Sequence, residues 1–199
     1  MKSLALVFAL ALSPCVSWSE ALPGEAAPNF EVKDANGKVQ KLADYKGKWL
    51  VLEWFNKDCP YVKKHYGSQN MQRLQKEFTD KKVAWLTVIS SAPGKQGHVS
   101  AKQALADMKE RDAKPTATLL DESGAMGKTY GAQTTPHMFV INPEQRVAYA
   151  GAIDDNDSAD PGVIAKSKNY VSAALTAGLA GKPIEKNSAR PYGCSVKYQ

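Results

Sequence analysis

One cysteine, placed where an apolar run gives way to a helix start, constrains this chain more than any other feature. The run Trp49–Phe55 predicts a buried strand, and residues 56–58 predict a short turn before Cys59. Pro60 suits the first turn of a helix, where its missing N–H costs no hydrogen bond. Unpaired backbone N–H groups and the positive end of the helix dipole both favour a thiolate. The pattern therefore predicts that Cys59 is a reactive, reachable thiol; an inert buried cysteine is the alternative.

The first 21 residues have the composition of a leader peptide. Lys2 precedes an apolar run at 4–12, and small residues follow it. We predict a cleaved signal peptide over 1–21, too short for a membrane span, and hence a periplasmic or secreted protein that is not embedded in the membrane. Pro14 stands before Cys15 where a lipidation site needs a small residue, so we do not expect a lipoprotein.

Loss of that leader leaves two cysteines, Cys59 and Cys194, which is compatible with one disulfide in an exported protein. Cys194 lies in a predicted C-terminal tail, 181–199. The 13 steps from Gly181 to Cys194 could span about 40 Å when extended. Cys194 is therefore the candidate resolving thiol for Cys59; a static structural disulfide and an unpaired Cys194 are the alternatives.

Charge is spread evenly along the chain. The 26 basic and 20 acidic residues include no arginine-rich block or basic stripe with interleaved aromatic residues. We therefore expect a solvated surface and no nucleic-acid partner.

Alternating strand and helix patterns predict an α/β architecture with a mixed central sheet flanked by helices. Asn36-Gly37 predicts an N-terminal β-hairpin. Helical spacing places Ala104, Leu105 and Met108 inward on one helix, and Ile164, Val171, Leu175 and Leu179 on the buried face of a long one. The further strands are predicted at 83–89, 116–120, 134–142 and 146–151, and the helices at 60–78 with a break near Gly67, 100–111, 125–130 and 164–180.

Three segments resemble the redoxin branch of thioredoxin-fold proteins. They are APNFEVKDANGKVQKLADYKGKWLVLEWF, the helix-start Cys59-Pro60, and YGAQTTPHMFVINPEQRVAYAGAID. The chain resembles exported peroxiredoxin-like proteins with an alkyl hydroperoxide reductase/thiol-specific antioxidant type domain, which we place at 22–180. The resemblance implies a thioredoxin-like fold and an oxidoreductase with antioxidant activity. It also implies that Pro136 is cis and that Thr135 faces Cys59. We expect no cofactor and no resident metal.

Three departures separate the chain from the best-known chemistries of these proteins. Val62 stands where the second cysteine of Cys-x-x-Cys would be, and Asn56 stands where peroxiredoxins place Thr or Ser. No arginine occurs at 129–142, where peroxiredoxins carry one. The leading prediction is a thiol–disulfide oxidoreductase in which Cys59 attacks a disulfide or an oxidised sulfur of a thiol protein or small thiol. A cysteine peroxidase, with peroxide as the substrate, is the alternative.

Side chains near Cys59 in sequence could tune its reactivity. Lys63, one helical turn further on, could bring an ammonium to the sulfur or face solvent. Glu53, in the predicted buried strand, could relay a proton or pair with a nearby lysine. His65 lies off the helical face of Cys59, and we expect it at the surface.

A third hypothesis is a non-catalytic module that binds Cu(I) through Cys59, His137 and Met138, because soft sulfur ligands suit that ion. A packed strand histidine is the alternative reading of His137. The acidic segment 154–160 lacks the glycine and terminal glutamate of an EF-hand loop, so we expect a solvated loop there.

Overall fold

The computed structural model describes residues 21–199, so the predicted leader lies outside the described residues except for Ala21. Within that range no helix has the length and apolar character needed to cross a bilayer. The strands are β1 (Glu31–Lys33), β2 (Val39–Lys41), β3 (Leu50–Trp54), β4 (Ala84–Ile89), β5 (Ala117–Leu120), β6 (Thr134–Thr135), β7 (His137–Ile141), β8 (Val147–Gly151) and β9 (Cys194–Ser195). The helices are α1 (Pro60–Gly67), α2 (Asn70–Asp80), α3 (Ala101–Glu110), α4 (Ala125–Tyr130) and α5 (Tyr170–Leu179), with 3-10 turns at Leu42–Tyr45 and Pro161–Lys166.

A five-stranded mixed sheet in the order β5-β4-β3-β7-β8 forms the centre of the structure. Strand β3 lies in the middle, parallel to β4 and antiparallel to β7. Every residue of these three strands is buried, as expected for strands covered on both faces. With the β1–β2 hairpin beside it, this arrangement confirms the predicted α/β class and the predicted N-terminal hairpin.

The side chains of β3 alternate between two apolar cores, one on each face of the sheet. Val51 belongs to the core that contains Cys59 and is built from α1, α2, α3 and α5. Leu52 and Trp54 belong to the opposite core, which includes Met126 of α4. The sheet thus separates the core that contains the cysteine from a second apolar core.

The predicted helix at 60–78 is divided into α1 and α2, as the break predicted near Gly67 requires. Gln69 has a left-handed conformation, with φ of 61°, and turns the chain between the two helices. Helix α3 begins after Ser100 with the predicted capping box to Gln103. The prediction that Leu105 faces inward is wrong: it is 40% exposed, since this short helix buries only the narrow stripe of Ala104 and Met108.

The long helix predicted at 164–180 is also wrong in extent. Helix α5 begins at Tyr170, because the side chain of Asn169 caps it by accepting a hydrogen bond from the Ser172 N–H at 2.8 Å. Ile164 instead lies in the 3-10 turn, and Leu179 is 39% exposed at the other end of the helix. An isolated bridge between Asp154 and Asn169 holds the chain extended just before α5.

The C-terminal segment packs against the sheet. Ser188 bridges Ala150 at the sheet edge, and β9 then pairs antiparallel with β6. Beyond β9, the Ala92 N–H donates to the Lys197 carbonyl at 2.9 Å. The predicted tail is therefore an ordered strap across the end of the sheet, and this strap carries Cys194.

Candidate active site at the Cys59–Cys194 pair

Cys59 is the N-cap residue of α1, with φ of −70° and ψ of 124°, and Pro60 follows at the first helical position. The preceding turn is closed by its own hydrogen bonds. The Cys59 N–H donates to the Asn56 carbonyl at 3.1 Å, and the Asp58 N–H donates to Oδ1 of Asn56 at 2.9 Å. The sulfur is thereby fixed at the amino end of the helix, as the strand–turn–Cys–Pro pattern predicts.

The fold brings a second segment to this sulfur. The peptide bond between Thr135 and Pro136 is cis. The Sγ of Cys59 lies 3.0 Å from the Thr135 carbonyl oxygen, to which the neutral thiol donates. Cys194 pairs with Thr135 in the β6–β9 ladder, and it is among the groups that shift the pKa of Cys59. The structure thus places four residues suggested by the sequence, Cys59, Thr135, Pro136 and Cys194, around one point, with both cysteines as free thiols.

The expectation that Cys59 is reachable from solvent is wrong for this state of the protein. Cys59 has 0% exposure, whereas Cys194 is partly exposed. The physical reason is the strap: β9 runs beside Thr135 and closes the space above the amino end of α1. Sequence spacing could not show this, because the covering residues lie more than 130 positions from Cys59.

The pKa values of the two thiols are shifted in opposite directions. Burial raises the pKa of Cys59, but hydrogen bonds from the Thr135 side chain, the Cys194 thiol and the backbone N–H groups of Val62 and Cys194 outweigh it, so its pKa is lowered. The Val62 amide is one of the unpaired donors of the first helical turn. Burial and the contact with Cys59 raise the pKa of Cys194 to about 11. Of the pair, Cys59 therefore ionises first.

Glu53 is fully buried, and its side chain lies on the face of β3 that carries the core containing Cys59. No lysine among residues 21–199 forms an ion pair with it. It accepts hydrogen bonds from the Tyr66 hydroxyl and from Nε1 of Trp85, both at 2.8 Å, and from the Gln75 amide at 3.2 Å. Burial raises the pKa of Glu53 to about 7 despite these donors. A carboxyl group with a pKa of about 7 can take up and return a proton at physiological pH.

Two other predicted supporting residues have different places. The side chain of Asn56 is buried and committed to the turn, since its Nδ2 also donates to the Gln96 carbonyl at 3.3 Å. The side chain of Lys63 is exposed, and it is not among the groups that shift the pKa of Cys59. Of the two alternatives for Lys63, an ammonium beside the sulfur or a solvent-facing side chain, the structure favours the second.

A buried polar cluster beside α1 was missed by the sequence analysis. We expected His65 at the surface, yet it and Lys64 are at most 2% exposed and lie next to Asp154 and Tyr192. Burial lowers the pKa of His65 to about 3, so the ring is neutral. In the local sequence, only the adjacent Lys64 and His65 could have indicated this cluster. The partners that bury them, Asp154 and Tyr192, come from distant segments.

Two of the three residues of the Cu(I) hypothesis, His137 and Met138, lie on opposite faces of β7. Met138 belongs to the core that contains Cys59. His137 packs on Phe139, which belongs to the opposite core, with ring centroids 4.5 Å apart. Its Nδ1 accepts from the Gln133 N–H at 3.2 Å. Successive residues of a strand point to opposite faces, so Met138 and His137 cannot converge on one ion with Cys59.

Comparison with known proteins connects this geometry to a family. The model of the AhpC/TSA family matches residues 23–150. The thiol-disulfide oxidoreductase ResA of Bacillus thuringiensis subsp. konkukian is 30% identical over 125 residues, covering 62% of this chain and 66% of ResA, so the match spans just under two thirds of that relative. A Clostridium pasteurianum protein named as a peroxiredoxin in a rubredoxin operon is 30% identical over 152 residues, covering 69% of this chain and 82% of the relative.

Solved structures of similar proteins show the same fold. An uncharacterized conserved protein from Geobacillus kaustophilus superposes with a TM-score of 0.78 at 26% identity, covering 90% of this chain and 93% of that chain. A protein named as thiol:disulfide interchange protein DsbE from Chlorobium tepidum superposes with a TM-score of 0.53 at 21% identity, covering 66% of this chain and 85% of that one. The predicted thioredoxin-like fold is confirmed.

Proposed function

Because the chain belongs to the AhpC/TSA family, we propose that it is a thiol–disulfide oxidoreductase that uses Cys59 and Cys194 as its redox pair. The observation that carries the proposal is that two free thiols lie beside Thr135 and Pro136, one with a lowered pKa and the other with a raised pKa. The pair stands in for the Cys-x-x-Cys motif, whose second position is occupied by Val62. The likeness to ResA supports thiol chemistry of this kind.

Oxidation of the pair joins the two sulfurs and removes two protons and two electrons, which a partner disulfide accepts. In the reverse direction, a partner thiolate attacks one sulfur of the Cys59–Cys194 disulfide and the other leaves as a thiolate. Cys194 is the partly exposed residue of the pair, and Cys59 is the better leaving group because its pKa is lowered. The mixed disulfide therefore forms on Cys194, and a second partner thiol resolves it. The partner leaves oxidised, and both cysteines of this protein are left reduced.

The low pKa of Cys59 also bears on the direction of exchange. Stabilising the thiolate stabilises the reduced pair, which makes the disulfide more oxidising. We therefore propose that the oxidised protein donates its disulfide to partner thiols, which are thiol proteins or small thiols.

Thiol counting by intact mass tests the proposal. The protein is used without residues 1–21, so that Cys59 and Cys194 are its two cysteines. After mild oxidation, this wild-type protein should lose two hydrogens in mass and resist alkylation, and after reduction it should accept two alkyl groups. Cys59→Ser and Cys194→Ser should each abolish the intramolecular loss of two hydrogens. Wild-type protein that stays fully alkylatable after oxidation contradicts the proposal.

Peroxidase activity is the second candidate, favoured by the likeness to the Clostridium pasteurianum relative. In this chemistry Cys59 would be oxidised to sulfenic acid and Cys194 would then form the disulfide. The neutral donors around the sulfur could support the developing anion, although Asn56 is committed to its turn. Stopped-flow oxidation by hydrogen peroxide decides, since a rate equal to that of a free thiol at the same thiolate fraction rules the peroxidase out.

Export and chain organisation are part of the same proposal. The leader composition of residues 1–21 supports a periplasmic or secreted location, where a disulfide persists. The working unit would then be the domain at 22–180 together with the strap at 181–199. N-terminal sequencing of protein recovered from the cell envelope and medium tests the location, and recovery of the intact leader in the cytoplasm contradicts it.

A further inference from the structure

The strap that carries Cys194 is fastened by more than its strand. Strand β9 has two residues, and pairing over so short a length stabilises little by itself. Side chains on both sides of it hold the segment in place. The Tyr198 hydroxyl donates to the Ala132 carbonyl at 2.7 Å on one side of Cys194, and Tyr192 lies two positions before Cys194 on the other.

The ring of Tyr192 packs on helix α1. Its centroid lies 5.7 Å from that of Tyr61, and the Nζ of Lys64 lies 5.2 Å above it. Its hydroxyl meets three buried polar groups. It donates to Oδ1 of Asp154, lies 3.1 Å from Nε2 of His65, and is 3.5 Å from the Lys64 Nζ. The tyrosine thus connects the strap with α1 and with the loop after β8.

The guanidinium group of Arg73 determines which atoms donate and which accept in these hydrogen bonds. Arg73 donates to Oδ1 of Asn70 at 2.8 Å, which orients the amide so that its Nδ2 donates to Nδ1 of His65 at 2.9 Å. The neutral ring of His65 then carries its hydrogen on Nε2 and donates it to the Tyr192 oxygen. Tyr192 passes its own hydrogen to Asp154. Each side chain of this hydrogen-bond network has a partner, and the hydrogen bonds within such a buried network strengthen one another.

The same helix therefore holds both members of the redox pair. Cys59 caps the amino end of α1, and His65, six residues or nearly two turns further on, holds Tyr192 and with it the strap. We infer that Tyr192 is a positioning residue that keeps Cys194 at Cys59 by fastening the strap to α1. This inference rests on the proposed exchange between the two cysteines.

Tyr192→Phe tests the inference, because it keeps the ring on Tyr61 and removes only the hydroxyl. The control is Tyr130→Phe, which removes a tyrosine hydroxyl that donates to the Pro28 carbonyl in the opposite core. One readout is the equilibrium between dithiol and disulfide in glutathione buffers, quantified by mass after acid trapping. The other is the rate at which iodoacetamide alkylates Cys59 when Cys194 is replaced by serine.

Loss of a hydrogen bond to a charged group should lower the effective concentration of Cys194 at Cys59 by about tenfold and raise the alkylation rate by a similar factor. Tyr130→Phe should leave both unchanged even where it lowers the melting temperature. Equal effects of the two variants, or no effect of Tyr192→Phe on either readout, overturn the inference. If the wild-type pair never oxidises, the proposed function fails, while the alkylation rates still decide the role of Tyr192.

Discussion

Gly193 lies against the backbone of Thr135 so closely that a Cβ at position 193 would stand 2.1 Å from the Thr135 carbonyl oxygen. That oxygen is the one the Cys59 thiol contacts. Gly193 also has φ of 132°, a conformation that side chains other than that of glycine rarely adopt. The close approach lets the strap pass over Cys59, so a methyl group here should lift it.

We predict that Gly193→Ala exposes Cys59 and weakens its pairing with Cys194. Alkylation of Cys59 in the Cys194→Ser background should accelerate by about tenfold or more, the factor that about 1.4 kcal/mol of weakened docking gives. Gly181→Ala is the control, since that residue also has positive φ but no atom within 4 Å of the added Cβ. Equal alkylation rates in the two variants would show that backbone strain, rather than the contact with Thr135, is responsible.

A second prediction concerns which sulfur reacts with an incoming thiol. Oxidised wild-type protein is mixed with excess glutathione, quenched in acid after brief reaction, alkylated and mapped by peptide mass. The glutathione adduct should lie on the peptide that contains Cys194, because this residue is partly exposed and Cys59 leaves more readily. An adduct found mainly on Cys59 would mean that the strap opens before exchange.

The third prediction concerns Glu53. Burial raises its pKa from 4.5 to about 7, so the folded protein binds more protons than the unfolded chain between those values. Stability should therefore fall as pH rises from about 4.5 to 7, by up to about 3 kcal/mol in the free energy of unfolding, and this contribution should be constant above that range. Urea denaturation at several pH values measures it. Glu53→Gln should flatten this slope; an unchanged slope would assign it to other groups.

The fourth prediction contrasts two neighbouring lysines. Lys63→Ala should change the free energy of unfolding by less than about 0.5 kcal/mol and leave the thiolate absorbance titration of Cys59 unmoved, since Lys63 is exposed. Lys64→Ala should cost about 3 kcal/mol, because it leaves buried Asp154 without its cation 3.8 Å away. Chemical denaturation measures both. Similar costs for the two variants would refute the assignment of Lys64 as the buried partner.

Local features of the site could be predicted because neighbouring residues specify them. The Cys59–Pro60 helix start, the Ser100 capping box and the hairpin at Asn36-Gly37 each depend on contacts within a few positions. The helix predicted at 164–180 failed for the opposite reason. Its apolar spacing begins at Ile164, but Asp154, from another segment, holds the chain extended at Asn169, so the helix cannot begin before Tyr170.

Accessibility and charge at the site could not be predicted in the same way. The sequence pattern does not distinguish exposed Lys63 from buried Lys64, because both belong to one polar run. Which of them is buried depends on Asp154 and Tyr192, which arrive from the loop after β8 and from the strap.

The candidate nucleophile, the helix start that favours its thiolate, and the α/β class could all be inferred from the residues alone, because they follow from short-range backbone chemistry and side-chain periodicity. Three further features required the folded molecule: Cys194 lies beside Cys59, the nucleophile is covered, and a buried polar cluster holds the cover in place. These outcomes depend on contacts between segments far apart in the chain, whose burial and hydrogen bonding no local pattern encodes.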